Sequence, residues 1–237
     1  MDNLSTLRSW IAESKNIVFF GGAGVSTESG IPDFRSVDGL YHQKFDYPPE
    51  TILSHSFFYS NTEDLYKFYR EKMLVTDIEP NRAHKALAKL EQQGKLSAVI
   101  TQNIDGLHQK ASSKTVYELH GSVHRNYCRR CANFYSGEDL QKTTGVPRCT
   151  CGGRVKPDVV LYEEGLDQQT IENSIRAIRE ADLLIIGGTS LNVWPAAGLI
   201  NYYRGDRVVL INKSAVGRDL AASLVITDPI GEVLSQL

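Results

Sequence analysis

Four cysteines, the only ones among the 237 residues, lie in two close pairs near the middle of the chain. Cys128 and Cys131 are separated by two residues, and Cys149 and Cys151 by one. Four thiolates in two such pairs can close a tetrahedral zinc site, which leaves no coordination position for a substrate. The opening residues resemble no export signal, so metal binding is favoured over disulfides. We therefore predict a structural zinc ion; reduced thiols without a metal are the alternative.

A glycine-rich turn near the N-terminus is a second candidate for chemistry. Residues 17–24 are an apolar run that ends on three glycines, which is typical of a strand buried on both faces and a tight turn. Glycine lets a pyrophosphate approach the backbone, and a helix opening near Val25 would offer it N–H groups. The pattern resembles the Rossmann fingerprint, although Thr27 stands at the third glycine position. By itself it is also compatible with a turn that binds nothing.

Polar residues follow the ends of two later predicted strands. Residues 98–101 predict a strand, and Asn103 and Asp105 come within four residues of its end. Residues 116–119 predict another short strand, and His120 follows it directly. Open α/β sheets bind ligands at the carboxyl ends of their parallel strands, so we expect these side chains to face the same cleft as the glycine turn. Asn103 and Asp105 are alternatively turn formers.

These segments together resemble the sirtuins, the NAD-dependent protein deacylases. The resemblance extends over residues 4–234, in that family's order, through residues 22–26, 29–35, 101–108, 120–121, the four cysteines, 156–160, 187–191 and 210–212. It implies NAD and zinc as cofactors and acetylated-lysine proteins as substrates. The implied reaction removes the acetyl group from lysine, releases nicotinamide and forms O-acetyl-ADP-ribose.

The resemblance also implies roles for individual residues. His120 is expected to be the base that deprotonates a ribose hydroxyl, since an ordinary imidazole pKa of about 6.5 leaves the ring largely neutral at working pH. Asn103 is expected to hold water and ribose hydroxyls. Asp105 is expected to accept the nicotinamide carboxamide in a pocket walled by Ile104 and Phe34. The phosphates and ribose are assigned to Ala23, Thr27, Arg35 and Gln102, and the adenosine end to Thr189, Ser190, Asn212 and Ile230.

The chain departs from the usual sirtuin pattern in three places. The second cysteine pair has one intervening residue where many sirtuins have two. Residues 162–164 are Tyr-Glu-Glu where the family more often has Phe-Gly-Glu, in a segment that pairs with substrate peptide. Sirtuins that prefer succinyl- or malonyl-lysine carry a Tyr and an Arg three residues apart on an aromatic-rich helix, whereas this chain has Tyr69 and Lys72. The last departure predicts a preference for acetyl and other short neutral acyl groups.

The hydrophobic pattern predicts an α/β fold, a doubly wound parallel Rossmann-like sheet with a small inserted zinc-ribbon and helical domain. Strands are predicted at 17–20, 98–101, 116–119, 183–186 and 208–211, and helices at 3–15, 54–75, 83–90, 171–178 and 194–203. The NAD-binding domain is expected to comprise 1–35, 76–122 and 155–237, and the small domain to comprise the helical module 36–75 and the zinc ribbon 123–154. Residues 36–50 are expected to form a loop that orders when NAD binds.

Composition limits the partners. A formal net charge of −2 does not indicate the clustered basic surface of a general nucleic-acid-binding protein. No segment approaches the roughly 20 apolar residues of a membrane span. We therefore expect a cytoplasmic monomer that binds neither nucleic acid nor membranes.

Three other functions would use parts of this pattern. An NAD-linked oxidoreductase would use the glycine turn but would seldom need a zinc ribbon beside residues 102–105. A zinc-ribbon binding module would need none of the cleft residues. Mono-ADP-ribosyl transfer would use the same NAD site, so it is the nearest enzymatic alternative.

Overall fold

The computed structural model describes residues 2–33, 47–75, 77–214, 216 and 220–237. Its α-helices in those ranges are α1 (Asn3–Glu13), α2 (Pro49–Ile52), α3 (His55–Ser60), α4 (Thr62–Phe68), α5 (Arg82–Gln92), α6 (Leu107–Lys110), α7 (Gly137–Gln141), α8 (Gln168–Glu180) and α9 (Ile230–Leu234). Its strands are β1 (Ile17–Gly21), β2 (Leu96–Thr101), β3 (Val116–Glu118), β4 (Gly121–Cys128), β5 (Phe134–Ser136), β6 (Val155–Val159), β7 (Leu183–Gly187), β8 (Val208–Ile211) and β9 (Leu224–Ile226). No helix within these ranges is both long and apolar enough to cross a membrane.

Six parallel strands form the large sheet in the order β3-β2-β1-β7-β8-β9. This is the Rossmann order, in which the direction of winding reverses between β1 and β7. The register brings the carboxyl ends of the central strands level: Gly21 lies opposite Thr101 and Gly187, and Gly187 lies opposite Ile211. The residues that follow these four strands therefore emerge along one edge. The predicted doubly wound parallel sheet is confirmed.

Helices cover both faces of this sheet. Side chains of β1 alternate between the faces, so that Phe19 packs with α1, α5 and α9 while Phe20 packs with α8 and the 3₁₀ helix Ala196–Tyr202. Capping side chains begin the two best-defined helices. The Asn81 carboxamide oxygen accepts from the Ala83 N–H at the start of α5, and Asp167 caps α8.

A small domain packs a second core beside the large sheet. Its antiparallel sheet has the order β5-β4-β6, and the helical part comprises α2, α3, α4 and a π-helical turn at Tyr69–Met73. Phe58, Tyr66 and Tyr69 are at most 1% exposed there, so these aromatic side chains of the helical part belong to the core. The predicted domain boundaries stay a prediction. In the structure β6 pairs with β4, although the prediction assigns residues 155–237 to the NAD-binding domain.

Two predicted helices are wrong in kind, and several short elements, β9 and α9 among them, were not predicted. No α-helix opens near Val25, because the Asn81 and Thr27 side chains donate to the Val25 and Gly24 carbonyl oxygens that such a helix would need. The chain instead forms 3₁₀ turns at Ala23–Val25 and Thr27–Ser29. Residues 194–203 contain the 3₁₀ helix Ala196–Tyr202, which includes the poor helix former Gly198. Strand β9 and helix α9 are too short to show a periodic pattern.

Candidate active site

Two cavities open along the carboxyl edge of the large sheet. The larger has a volume of about 650 Å³ and the smaller about 260 Å³. Both are lined by Ala23, Gln102, Asn103, His120 and Val193. A ligand in the larger cavity therefore meets a ligand in the smaller one at these five residues. Val193 carries no sequence signal for such a position.

The predicted cofactor residues lie along this double cavity wherever the structure describes them. The larger cavity is also lined by Thr27, Thr189, Ser190, Asn212 and Ile230. The smaller cavity is also lined by Ile104 and Asp105. Phe34 and Arg35, together with residues 36–46 of the predicted cofactor loop, lie outside the described residues. The structure thus gathers these side chains in one cleft, and their individual roles stay predictions.

The two glycine turns at this edge pack directly on each other. The Gly24 N–H donates to the Gly188 carbonyl oxygen over 2.8 Å, and a Cβ atom on Gly24 would lie 2.8 Å from the Gly188 Cα. Gly188 has a φ of +59°, and its Cβ would lie 2.4 Å from the Val25 nitrogen. Glycine is therefore required at both positions by the contact between the turns, whatever the cleft binds.

His120 is held as a neutral imidazole with one nitrogen available to accept a proton. Its Nδ1 lies 2.9 Å from the Gln102 carbonyl oxygen, which can only accept, so Nδ1 carries the proton and Nε2 does not. Burial lowers the pKa of His120, and the bond to Gln102 only partly opposes this shift. The ring is therefore uncharged at neutral pH, as a general base requires.

The chain crosses from the large sheet to the small sheet at His120. Gly121 follows with a φ of +76°, and a Cβ atom there would lie 1.8 Å from the Asp158 carbonyl oxygen. Arg125 bridges this crossing, with its guanidinium 2.6 Å from a Glu118 carboxylate oxygen and 2.7 Å from one of Asp158. These residues belong to β3, β4 and β6, so contacts with both sheets fix the backbone that carries the imidazole.

Ser26 joins the polar residues beneath the smaller cavity. Its hydroxyl donates to Asp105 Oδ2 over 2.6 Å and accepts from Asn103 Nδ2 over 3.0 Å. His84 Nε2 lies 3.5 Å from the same hydroxyl, and its Nδ1 accepts from the Asn81 N–H. Sequence reasoning assigned Ser26 no role, because a serine in a glycine turn has an ordinary local explanation. Its partners lie 58 to 79 positions along the chain.

A second buried histidine packs behind this network. The His108 ring is 1% exposed, and its centroid lies 4.7 Å from that of His84. Neither ring nitrogen of His108 has a hydrogen-bond partner among the described residues. Burial lowers the pKa of His84 to about 4, with nearby Asp105 acting in the opposite direction, and burial lowers the pKa of His108 well below its ordinary value. Both rings are therefore neutral in the folded protein.

These two rings predict an acid-labile fold. In the unfolded chain both would bind protons below an ordinary pKa of about 6.5, whereas in the folded chain they resist protonation. The stabilisation is therefore complete above pH 6.5 and is lost as pH falls toward the folded-state pKa of about 4 for His84. The loss from His84 alone is about 3 kcal/mol. Urea unfolding at a series of pH values between 7.5 and 4 measures it.

The variant His108→Leu separates this effect from general acid unfolding. We expect its free energy of unfolding to match or exceed that of the wild type at pH 7.5, because an unpartnered polar ring is replaced by an apolar side chain. Between pH 6.5 and 5 its stability should fall less steeply. An unchanged slope in His108→Leu would contradict the explanation.

The four predicted zinc ligands converge in the small domain. Their sulfur atoms all lie within 4.8 Å of one another, and the Cys128–Cys151 and Cys131–Cys149 pairs are each 3.5 Å apart. A tetrahedral zinc ion with Zn–S bonds of about 2.3 Å needs sulfur atoms about 3.8 Å apart, so the set fits the ion. Gly153 permits this closure, since a Cβ atom there would lie 2.6 Å from the Cys128 sulfur. The single residue between Cys149 and Cys151 does not prevent the four ligands from meeting.

Comparison with known proteins supports the family resemblance seen in the sequence. The Sir2 family model matches residues 22–195. The chain is 62% identical to an NAD-dependent protein deacetylase of Clostridium acetobutylicum, over 99% of this chain and 97% of that protein. It is 59% identical to one of Clostridium perfringens, over 100% and 98% of the two chains.

Solved Sir2 structures have the same fold. One, a Sir2 bound to acetylated peptide, has a TM-score of 0.87 at 37% identity and covers 100% of this chain and 97% of its own. Another, a Sir2 variant with a deacetylated p53 peptide and 3′-O-acetyl-ADP-ribose, has a TM-score of 0.90 at 37% identity, over 98% and 95% of the two chains. This chain belongs to the Sir2 family, the sirtuins, which confirms the resemblance seen in the sequence.

Proposed function

We propose that this chain is an NAD-dependent protein-lysine deacetylase that transfers the acetyl group to ADP-ribose and releases nicotinamide. The observation that carries the proposal is the meeting of two cavities at a half-buried, neutral His120. The larger cavity accommodates NAD and the smaller one receives acetyl-lysine together with the nicotinamide end. The curated relatives at 62% and 59% identity, which are named NAD-dependent protein deacetylases, support it.

The residues shared by the cavities would perform the acid–base chemistry. Bound NAD supplies the ribose carbon whose bond to nicotinamide breaks. His120 Nε2 accepts a proton from a ribose hydroxyl, while the Nδ1 bond to Gln102 keeps the ring oriented and stabilises its charged form. Asn103 orients water and ribose hydroxyls, and Asp105 accepts the nicotinamide carboxamide. Ser26 bonds to both side chains and keeps them in place.

The phosphate contacts rest on the turn at residues 23–29. This segment forms 3₁₀ turns of three residues and lacks the dipole of a long helix. Its Gly24, Val25 and Ser26 N–H groups already donate to carbonyl oxygens, so few backbone donors are left for a phosphate. The positive charge opposite the pyrophosphate is therefore assigned to Arg35. Thr27 contributes at the same end, and Thr189, Ser190, Asn212 and Ile230 form the adenosine end.

One incubation tests the proposed reaction. The protein is given NAD and an acetyl-lysine peptide, and the products are analysed by mass. We expect free nicotinamide, the peptide lighter by one acetyl group and O-acetyl-ADP-ribose. Mono-ADP-ribosyl transfer, the alternative use of the same site, would instead fix label from adenine-labelled NAD on protein. Loss of nicotinamide without deacetylated peptide would reject the proposal.

The acyl preference follows from the residues beside the smaller cavity. Lys72 lines this cavity, with its ammonium 2.9 Å from a Glu71 carboxylate oxygen. Tyr69 is 1% exposed and packs against Tyr66 in the small-domain core, so it is not a lining residue. The sequence-based placement of Tyr69 and Lys72 as a pair on an α-helix is therefore corrected: both lie in a π-helical turn and only Lys72 reaches the cavity. The lysine ammonium cannot bind a carboxylate through two parallel hydrogen bonds, as the planar guanidinium of arginine does.

We expect kcat/KM for an acetyl-lysine peptide to exceed that for the matched succinyl-lysine peptide by about tenfold or more, because the extra carboxylate would lose water without a matching partner. Lys72→Arg should raise the succinyl value, and Lys72→Met is the neutral control. A succinyl value equal to the acetyl value in the wild type would overturn the prediction.

We further propose that the chain acts as a cytoplasmic monomer on acetylated-lysine proteins, without nucleic-acid or membrane partners. The net charge of −2 supports the exclusion of general nucleic-acid binding. Light scattering and fractionation of cell extracts test the oligomeric state and the location.

A further inference from the structure

Two acidic side chains stand at the mouth of the smaller cavity, and only one of them is hydrogen-bonded to an ammonium group. Glu164 lies 2.9 Å from the Lys156 ammonium and 2.9 Å from His55 Nδ1. Its side chain is 19% exposed, so its charge is largely compensated within the protein. Glu163, one residue earlier, is exposed and also lines the cavity.

Glu163 is fixed in an unusual conformation. Its φ is +74°, a backbone conformation that residues other than glycine rarely adopt. One carboxylate oxygen accepts from the Ser56 N–H over 2.9 Å and from the Ser56 hydroxyl over 2.6 Å. These bonds hold the pKa of Glu163 below its usual range, so the carboxylate is ionised at neutral pH. Both donors are neutral, so these bonds leave the carboxylate its negative charge, and nearby His55 adds only a smaller electrostatic effect.

The backbone around Glu163 is equally well fixed. The Tyr162 N–H donates to the Leu53 carbonyl oxygen, and the His55 N–H donates to the Tyr162 carbonyl oxygen, each over 2.9 Å. Both bonds are made by Tyr162, directly before Glu163, so Tyr162 is attached to the chain that leads into α3. The Glu163 carboxylate has a defined place at the cavity mouth and does not move with a loose loop.

Uncharged residues also line this cavity. They include Val193, Pro195 and Trp194, of which Trp194 is 66% exposed. Among the described residues that line the cavity, the charged ones are Lys72, Asp105, Glu163 and Glu164. Glu164 is paired with Lys156, and Asp105 lies beneath the cavity bonded to Ser26, so Glu163 supplies the exposed negative charge at the opening.

We propose that Glu163 selects substrate proteins that carry a lysine or arginine next to the acetyl-lysine. The inference rests on the proposed function, because an acetyl-lysine in the smaller cavity brings its neighbours past the exposed Tyr162, Glu163 and Trp194. A cation there gains the attraction of the fixed carboxylate, and an aspartate or glutamate is repelled. An exposed ion pair of this kind changes kcat/KM by about two- to fivefold, and salt weakens the effect.

Three acetyl-lysine peptides that differ only in the flanking residues test the selection, with arginine, glutamine or glutamate on each side. We expect wild-type kcat/KM to decrease in that order, and the arginine-to-glutamate ratio to shrink in 0.5 M salt, taken as a strongly screening condition with a Debye length of roughly 4 Å. Glu163→Gln retains an amide oxygen for Ser56 but removes the charge, so the ratio should fall toward one. Glu172→Gln, on α8 and away from both cavities, removes the same charge and should leave the ratio unchanged.

Ser56→Ala distinguishes the charge from the conformation. If Glu163 acted only by shaping the segment, loss of the Ser56 hydroxyl would alter KM for all three peptides alike. Glu163→Gln would then keep the wild-type arginine-to-glutamate ratio, and that result would overturn the proposal. Peptide binding measured by calorimetry should follow the same order as kcat/KM. An order seen in binding without any deacetylation would reject the proposed function and keep the charge selection.

Discussion

The variant His120→Ala is expected to lower kcat for deacetylation by about 10²–10⁴-fold, the usual contribution of a positioned general base. The fold and NAD binding should be largely retained. The imidazole makes one hydrogen bond, to Gln102, among the described contacts, and the backbone at this crossing is fixed by Gly121 and by the Arg125 ion pairs. Steady-state turnover of an acetyl-lysine peptide, with NAD affinity measured by calorimetry, checks both statements.

The pH profile adds a readout that a structural defect would not produce. Because burial lowers the pKa of His120, wild-type kcat should decline only below the ordinary imidazole pKa of about 6.5. The residual activity of His120→Ala should lack this acid limb, and added imidazole should restore part of the rate. Near-normal turnover in His120→Ala would contradict the assignment of His120 as the general base.

Removal of zinc is expected to abolish activity, although none of the four cysteines lines either cavity. Strand β4 begins at Gly121, directly after His120, and ends at Cys128. The ribbon has few large apolar residues of its own, so metal binding must supply much of its folding free energy. The binding free energy of structural zinc in small domains is about 10–16 kcal/mol. Loss of the metal should therefore unfold the ribbon before the large sheet and release the strand that positions His120.

Metal analysis should find one zinc ion per chain, and hydrogen exchange should show residues 123–154 losing protection first after chelation. Readdition of zinc should restore turnover. Cys149→Ala should behave like the chelated protein, whereas Thr150→Ala, between two ligands, should retain both metal and activity. Protein purified without chelator that contains no zinc, or full activity after complete zinc removal, would refute this account.

Local patterns in the chain already predicted the parts of the fold that depend on neighbouring residues. The apolar runs at 183–186 and 208–211 predict buried strands because both of their faces are covered, and the structure has strands Leu183–Gly187 and Val208–Ile211 there. The glycine positions were also correctly recognised as special. The predicted reason, close approach of a pyrophosphate to the backbone, is incomplete, since Gly24 and Gly188 are required by the packing of one turn on the other.

The sequence alone determined which four cysteines come together, the strand ends that carry Asn103 and His120, and membership of the Sir2 family, because each depends on residue type and short spacing. The tertiary structure decided which groups meet. Strand register across the sheet levels the carboxyl ends and brings Ser26 to Asp105, and burial between domains shifts the pKa of His120. Such contacts and desolvation depend on residues far apart in the chain, which no local pattern encodes.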